Sequence, residues 1–190
     1  MVINQPMWTE EEEQLLKGLE ETQKQFWNID RGTANFLNML IKLYGAKSGL
    51  EIGTSNGYSG IWLSKALKEN GGTLTTIEYY EKRIIPAKEN FKICKVDDVI
   101  TVKQGSALEV LETLENQYDF VFIDANKREY VKYFEVLHPL VKKNGIIAAD
   151  NILSHAEKVQ PYVEAISNHP DYQTQLIPFP AGLLVSYKIK

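Results

Sequence analysis

From residue 48 to residue 150 the chain alternates short apolar runs with amphipathic stretches, and that rhythm constrains its fold more than any other feature. The apolar runs at 49–52, 73–78, 99–102, 118–124 and 145–150 read as strands. The stretches at 58–69, 81–92, 107–115 and 128–140 carry helical spacing. Helical crossovers between strands require parallel pairing. The expected fold class is therefore α/β, a doubly wound, mostly parallel sheet with helices on both faces. The tail leaves this rhythm. After a helix near 156–167, extended runs at 174–178 and 183–189 are separated only by Phe179-Pro-Ala-Gly182, which predicts a C-terminal antiparallel hairpin. Upstream, 10–24 and 33–44 predict N-terminal helices, the second with Phe36, Leu37, Leu40, Ile41 and Tyr44 at helical spacing. Between them, Phe26-Trp-Asn-Ile-Asp-Arg-Gly32 reads as a loop with large apolar side chains. A length of 190 residues holds one domain with a full core, here a helical part over 1–45 and an α/β core over 46–190.

Composition narrows the classes. A net charge of −4 argues against an extended phosphate-binding surface. Nucleic acid is therefore a disfavoured partner. The single cysteine, Cys94, can form neither an internal disulfide nor a thiolate metal site, which fits a reducing cytoplasm. It lies in the amphipathic stretch 87–96 and is expected to pack as a small hydrophobe. No apolar stretch approaches the roughly 20 residues of a membrane span. Residues 1–14 lack a basic start followed by an apolar region, so they are not read as a signal peptide. Glu10–Glu13 reads as a solvated first helical turn, with Thr9 as its N-cap.

Three segments carry chemistry. In Leu50-Glu-Ile-Gly-Thr-Ser-Asn-Gly-Tyr-Ser59 a strand enters a helix through a turn in which Gly53 and Gly57 allow close approach of a ligand. The spacing is not the dinucleotide fingerprint. Glu51, at the strand end, would repel a pyrophosphate and attract an ammonium or sulfonium group. In Thr75-Thr-Ile-Glu78 an acid ends the next strand, where it can accept both hydroxyls of a ribose. Finally, Phe120-Val-Phe-Ile-Asp-Ala-Asn-Lys127 and Ile146-Ile-Ala-Ala-Asp-Asn151 end in Asp124 and Asp150-Asn151. Three hard oxygen ligands at one sheet edge suit a divalent cation such as magnesium, with Lys127 placed to take a proton from a bound hydroxyl. Of the histidines, His138, His155 and His169, none sits at ligand spacing with another, and only His155 falls near the metal loop.

Together, Leu50-Glu-Ile-Gly-Thr-x-x-Gly-Tyr-Ser59, Thr76-Ile-Glu78, Phe122-Ile-Asp-Ala-x-Lys127 and Ala149-Asp-Asn151 resemble the cation-dependent O-methyltransferases that use S-adenosylmethionine, the catechol and caffeoyl-CoA group with its small bacterial relatives. The resemblance covers about residues 26–190 and implies a Rossmann-like methyltransferase sheet whose core binds the cofactor. It implies that Gly53 and Ser59 hold the methionine part of the cofactor, with Glu51 near its ammonium. Glu78 would bind the ribose, Ser106 and Ala107 would lie along the adenine, and Ile29 would cover the cofactor. Asp124, Asp150 and Asn151 would ligate Mg2+ or another hard divalent cation, Asp124 lying between cation and cofactor, and Lys127 would be the general base. The acceptor would be a small catechol-like or other vicinal dihydroxy compound, and the assembly a homodimer. The chain departs from the pattern at Ser106, where many relatives carry aspartate, and at Pro180-Ala-Gly182, where bacterial relatives often carry Gly-Asp-Gly. It also has Gln173-Thr-Gln175 where catechol-type enzymes place a bracing carboxylate. The rival readings are a tRNA hydroxyuridine O-methyltransferase and a non-catalytic cofactor-binding scaffold of the same fold. Phe26, Trp27 and Tyr58 are candidates for lining an apolar pocket.

Overall fold

A computed structural model describes residues 7–190; residues 1–6, the first part of the segment read against a signal peptide, lie outside it. Five strands, β1 (Ser48–Ile52), β2 (Thr73–Glu78), β3 (Ile100–Gln104), β4 (Tyr118–Ile123) and β5 (Val141–Ala149), pair in parallel. The last two, β6 (Tyr172–Ile177) and β7 (Leu183–Lys188), form the expected antiparallel hairpin, and β7 also pairs antiparallel with β5. The sheet order is β3-β2-β1-β4-β5-β7-β6. The helices are α1 (Glu10–Glu21), α2 (Gln23–Phe26), α3 (Arg31–Tyr44), α4 (Tyr58–Glu69), α5 (Glu81–Ile93), α6 (Ala107–Glu112), α7 (Tyr130–Leu137) and α8 (Ala156–Ser167). Among the described residues no helix is long and apolar enough to cross a membrane.

The central strands are apolar throughout because each face of the sheet has its own core. Phe120, Phe122, Ile146 and Ala148 point to the side covered by α1, α3, α4 and α5, with Trp62 and Leu37. Val121, Ile123, Ile147 and Ala149 point to the side of α7 and α8, with Tyr130 and Tyr162. Cys94 is buried in the first of these cores, and burial pushes its thiol up to about 12. It is inert packing, as expected.

The elements differ from the sequence expectation in a few places, each with a local cause. The helix expected over 10–24 breaks at Thr22, whose hydroxyl donates to the Leu19 carbonyl at 2.8 Å, and a single turn follows as α2. The loop expected over 26–32 ends early because Asp30 N-caps α3, accepting from Thr33 N at 3.0 Å and Thr33 Oγ1 at 2.6 Å. Strand β5 begins four residues before 145, since Val141 pairs with Tyr118 before the main ladder starts at Phe120 and Ile146. In the irregularity, Asp119 accepts from Lys47 N and Ser48 N, both at 2.9 Å, and from Lys142 Nζ at 2.8 Å. The helix expected over 128–140 is α7 flanked by two 3-10 turns, Lys127–Glu129 and His138–Leu140.

The amino-terminal helices are tied to the sheet beside its ligand edge. Thr9 and Glu12 form a capping box on α1. Glu12 accepts from Lys65 of α4 at 2.7 Å, and Glu20 accepts from Tyr58 Oη and Arg31 Nε, both at 2.7 Å. These contacts fix the segment Trp27–Ile29 over the carboxyl ends of β1 and β4, where it lines the cavities described below.

Candidate active site

From β1 the chain crosses to β2 and β3 on one side, then returns to β4 and β5 on the other. A ligand crevice therefore opens beyond the carboxyl ends of β1 and β4. There the two backbones touch. Asp124 N–H donates to the Ile52 carbonyl at 2.9 Å, and a Cβ on Gly53 would lie 2.1 Å from the Asp124 carbonyl oxygen. With φ at +106° as well, position 53 admits only glycine. Gly57 (φ +87°) is different from expectation. Its side is filled by the Phe91 ring, 2.6 Å from an added Cβ, and it does not line the crevice. It serves packing against α5 rather than approach of a ligand.

A cavity of about 430 Å³ fills the crevice and brings together Ile29, Gly53, Ser59, Glu78, Ser106, Ala107, Asp124 and Lys127. Glu78 is clamped by two backbone amides, Ser55 N on Oε2 at 2.8 Å and Tyr80 N on Oε1 at 2.9 Å. A carboxylate oxygen has more than one acceptor site, so both oxygens keep capacity for a ligand's hydroxyls. Glu51 is not in the cavity wall. It is fully buried beneath it, accepting from Ser59 Oγ and Thr76 Oγ1, both at 2.6 Å. Burial raises its carboxyl to about 7, with further upward pressure from Asp124 and Glu78, while the two hydroxyls oppose the shift. Ser59 is thus the surface through which Glu51 can act on a ligand.

The two acidic strand ends meet as the sequence suggested. Lys127 Nζ donates to Asp124 Oδ1 at 2.8 Å, with both side chains largely buried. Asp150 is 2 % exposed, and its Oδ1 is buried without a hydrogen-bond partner. Burial and the neighbouring Asp124 charge push its carboxyl up to about 7. Asn151 follows in the left-handed region (φ 67°), with its amide Nδ2 donating to Ser154 Oγ at 3.2 Å. Its backbone carbonyl accepts from His155 N at 3.0 Å, which leaves the side-chain Oδ1 without a partner among the described residues.

A second cavity, of about 630 Å³, adjoins the first and shares Trp27, Asn28, Ile29, Ala125, Asn126 and Lys127 with it. It contains Asp150, Asn151 and His155, and Pro180 and Ala181 from the hairpin turn. Backbone amides of Leu153 and Ser154 donate to the Ala181 carbonyl at 2.9 and 3.0 Å, so that turn holds the loop after β5. Gln173 and Gln175 line neither cavity. Phe26 and Trp27 do line the first, but Tyr58 is core and binds Glu20.

Several wall residues escaped the sequence reading. Tyr79, Tyr80 and Arg83 line the first cavity, with the Arg83 guanidinium 4.9 Å from the Trp27 ring centre. The strand-end rule that singled out Glu78 could have extended to Tyr79 and Tyr80. Arg83 could not be found that way, because it joins the site through Trp27, a residue 56 positions earlier in the chain. His138 and His169 also meet unexpectedly, their rings 4.6 Å apart beside Asp171. They lie at the opposite end of the sheet, near the start of β5.

The profile of the O-methyltransferase family matches residues 7–176. Caffeoyl-CoA O-methyltransferase 1 of Zea mays is 37 % identical over 173 residues, a match covering 84 % of this chain and 65 % of the maize protein. Catechol O-methyltransferase of Niastella koreensis is 34 % identical over 130 residues, covering 66 % of this chain and 58 % of that protein. The chain thus spans somewhat less than two thirds of these relatives' own length. Among solved structures, an O-methyltransferase from Bacillus cereus in complex with SAH superposes with a TM-score of 0.83 at 26 % identity, covering 99 % of this chain and 93 % of that one.

Proposed function

The chain belongs to the O-methyltransferase family, and from that premise we propose that it is an S-adenosylmethionine-dependent O-methyltransferase, assisted by a hard divalent cation such as magnesium. The acceptor is a hydroxyl of a small catechol-like or other vicinal dihydroxy compound. A cytoplasmic setting and a homodimer belong to the same proposal. The first is supported by the lone, buried Cys94, and the second by the family alone.

The observation that carries the metal is the orphaned Asp150 Oδ1. A buried acceptor left without a partner costs about 1–3 kcal/mol. Placing a second carboxylate, Asp124, close enough to raise the Asp150 carboxyl adds repulsion. Such a pair fits a cation, and Asp124, Asp150 and the side-chain Oδ1 of Asn151 would form an all-oxygen donor set of the kind magnesium takes. Bound there, a hard cation would polarise an acceptor hydroxyl and the sulfonium cofactor would supply the methyl group.

The chain's own residues supply the rest. Ser59, backed by Glu51, would hold the cofactor's ammonium, and Glu78, fixed by Ser55 and Tyr80, its ribose hydroxyls. Ser106, Ala107 and Ile29 would enclose the remainder of the cavity. Lys127, held on Asp124, stands between the two cavities and would receive the acceptor's proton as a neutral amine, after giving its own proton to solvent. Trp27, Asn28 and Ile29 close both cavities on one side and would keep water from the reacting atoms. Orientation of two bound partners across a shared wall can account for several powers of ten in rate.

The test is a methyl-transfer screen with S-adenosylmethionine across dihydroxy aromatics and tRNA, with and without chelator. Chelator-sensitive transfer to a dihydroxy aromatic is the expected result. Cofactor binding with no transfer to any acceptor would favour the scaffold reading.

A further inference from the structure

His138 opens the 3-10 turn between α7 and β5, while His169 and Asp171 stand in the turn between α8 and β6. Two segments distant in the chain thus bring three metal-ligating side chains together, at the end of the sheet away from the crevice. The His138 and His169 rings are 4.6 Å apart, and His138 Nε2 lies 3.8 Å from Asp171 Oδ2. One donor atom from each of the three lies within 4.8 Å of the other two, and among the described residues no other trio of His, Cys, Asp or Glu converges in this way. One side of the group is open to solvent, the His138 and Asp171 side chains being 32 % and 25 % exposed. The other side is walled by buried aromatic rings. Phe134 of α7 meets His138, His169 and Tyr172 edge-on, with ring centres 6.2, 5.6 and 5.4 Å away, and so holds both imidazoles in place.

The donor atoms are oriented and unprotonated. His138 Nδ1 is 3.3 Å from Tyr172 Oη, which leaves Nε2 turned toward Asp171. An outer partner of this kind is what fixes the ring of a ligating histidine. Burial, then the Lys188 ammonium and His169, hold the His138 imidazole below its usual range against the pull of Asp171. His169 accepts from the Asp171 amide through Nδ1 at 3.2 Å, which requires a neutral ring. The turn itself is fixed, with Tyr172 N–H donating to the His169 carbonyl at 3.1 Å and Ile189 N–H to the Asp171 carbonyl at 2.7 Å. Lys188, whose Nζ donates to the His138 and Val141 carbonyls at 2.6 and 2.9 Å, offsets the charge of Asp171. A hard ion held by charge and oxygen, such as magnesium, therefore gains little here, whereas an ion that bonds imidazole nitrogen gains two ligands.

We propose that His138, His169 and Asp171 form a site for a divalent transition ion of the zinc class, which clips the turn into β5 to the turn into the C-terminal hairpin. A tetrahedral ion with ligand bonds of about 2.1 Å sets its donors about 3.4 Å apart, so small rotations of partly exposed side chains complete the set, with water as the fourth ligand. A plain His–Asp ion pair uses one imidazole only. The second, packed against the first, would add a like charge if both rings were protonated, and adds a ligand when both are neutral. The site is remote from both cavities and does not depend on the methyl-transfer reading.

The test titrates the full chain with Zn2+ near pH 7.5 in excess Mg2+, which occupies the acidic corner, and follows heat, melting temperature and the NMR signals of the three imidazoles. One equivalent should move the His138 and His169 signals together and leave His155 in place. At Zn2+ a hundredfold above its Kd, the melting temperature should rise by about 5–10 °C. His169→Gln and Asp171→Asn should each weaken binding by about tenfold or more, read on variants that melt like the parent without zinc. The imidazole signals of the parent decide the matter even where a variant fails to fold. Movement of His155 first, or an affinity that neither substitution changes, would place the ion elsewhere and overturn the site. Absence of binding would leave an ordinary His–Asp pair and overturn it equally.

Discussion

Both carboxylate oxygens of Glu51 are taken by hydroxyls, Ser59 from α4 and Thr76 from β2, and Thr76 Oγ1 is in turn 2.6 Å from Thr54 Oγ1. Burial raises its carboxyl from 4.5 to about 7, with the Asp124 and Glu78 carboxylates adding to the rise and the two hydroxyls opposing it. The sign of the linkage follows. A carboxyl with a raised folded-state value keeps its proton where the unfolded chain has already lost it, so stability falls as pH rises from about 4.5 to about 7 and stays low above that. At about 1.4 kcal/mol per pH unit, the ligand-free protein gives up about 3 kcal/mol to this group. Glu51→Gln should therefore melt higher than the parent at pH 8 and flatten that pH slope, while binding S-adenosylmethionine more weakly. A variant that melts lower at pH 8 with an unchanged slope would contradict this. At Gly53 the argument is steric. Gly53→Ala drives a Cβ into the Asp124 backbone, and a loss of about 3 kcal/mol or more in denaturant unfolding is expected. A loss below about 1 kcal/mol would mean the β1–β4 contact can yield. Sequence reasoning found the importance of this glycine but not its cause. Its neighbour is Asp124, 71 residues away in the chain.

At the scale of elements, the hairpin turn and the loop after β5 form one unit. Amides of Ile152, Leu153 and Ser154 donate to the carbonyls of Gly182 and Ala181 at 2.9–3.0 Å, which fixes the path of the chain just past Asp150 and Asn151. Gly182 has φ at +80°, and a Cβ there would meet Leu153 atoms at 2.5 to 2.9 Å. Gly182→Ala should loosen this clasp and lower apparent Mg2+ affinity more than it lowers affinity for the cofactor. Magnesium titrations of activity, with calorimetric cofactor binding alongside, separate the two. Equal losses in both would mean that the turn acts on the fold rather than on the loop. The hairpin itself was legible from the short spacing of its strands, and β1 to β4 from their apolar runs. The early start of β5 was not, because Lys142, Lys143 and Asn144 read as a polar turn. Val141 earns its strand pairing only through Tyr118 and the Asp119–Lys142 contact across the bulge.

For the molecule as a whole, the crevice position was already implied by the alternation of strand and helix, since parallel sheets gather ligands where strand order reverses. The acidic corner was legible for the same reason, as both its strands announce their ends with Asp124 and Asp150. The second cavity was not. Its wall is assembled from four separated segments that supply Trp27, Lys127, Lys158 and Ala181, and no local pattern links them. The account's central claim is that Asp124, Asp150 and Asn151 hold a cation on which methyl transfer depends. It is tested most directly by the initial rate of transfer to a dihydroxy aromatic as free Mg2+ is varied, in the parent and in Asp150→Ala, with affinity for S-adenosylmethionine measured on both. The expected result is a saturable Mg2+ dependence in the parent and loss of activity in Asp150→Ala at nearly unchanged cofactor affinity. Equal, chelator-insensitive rates in the two proteins would contradict it.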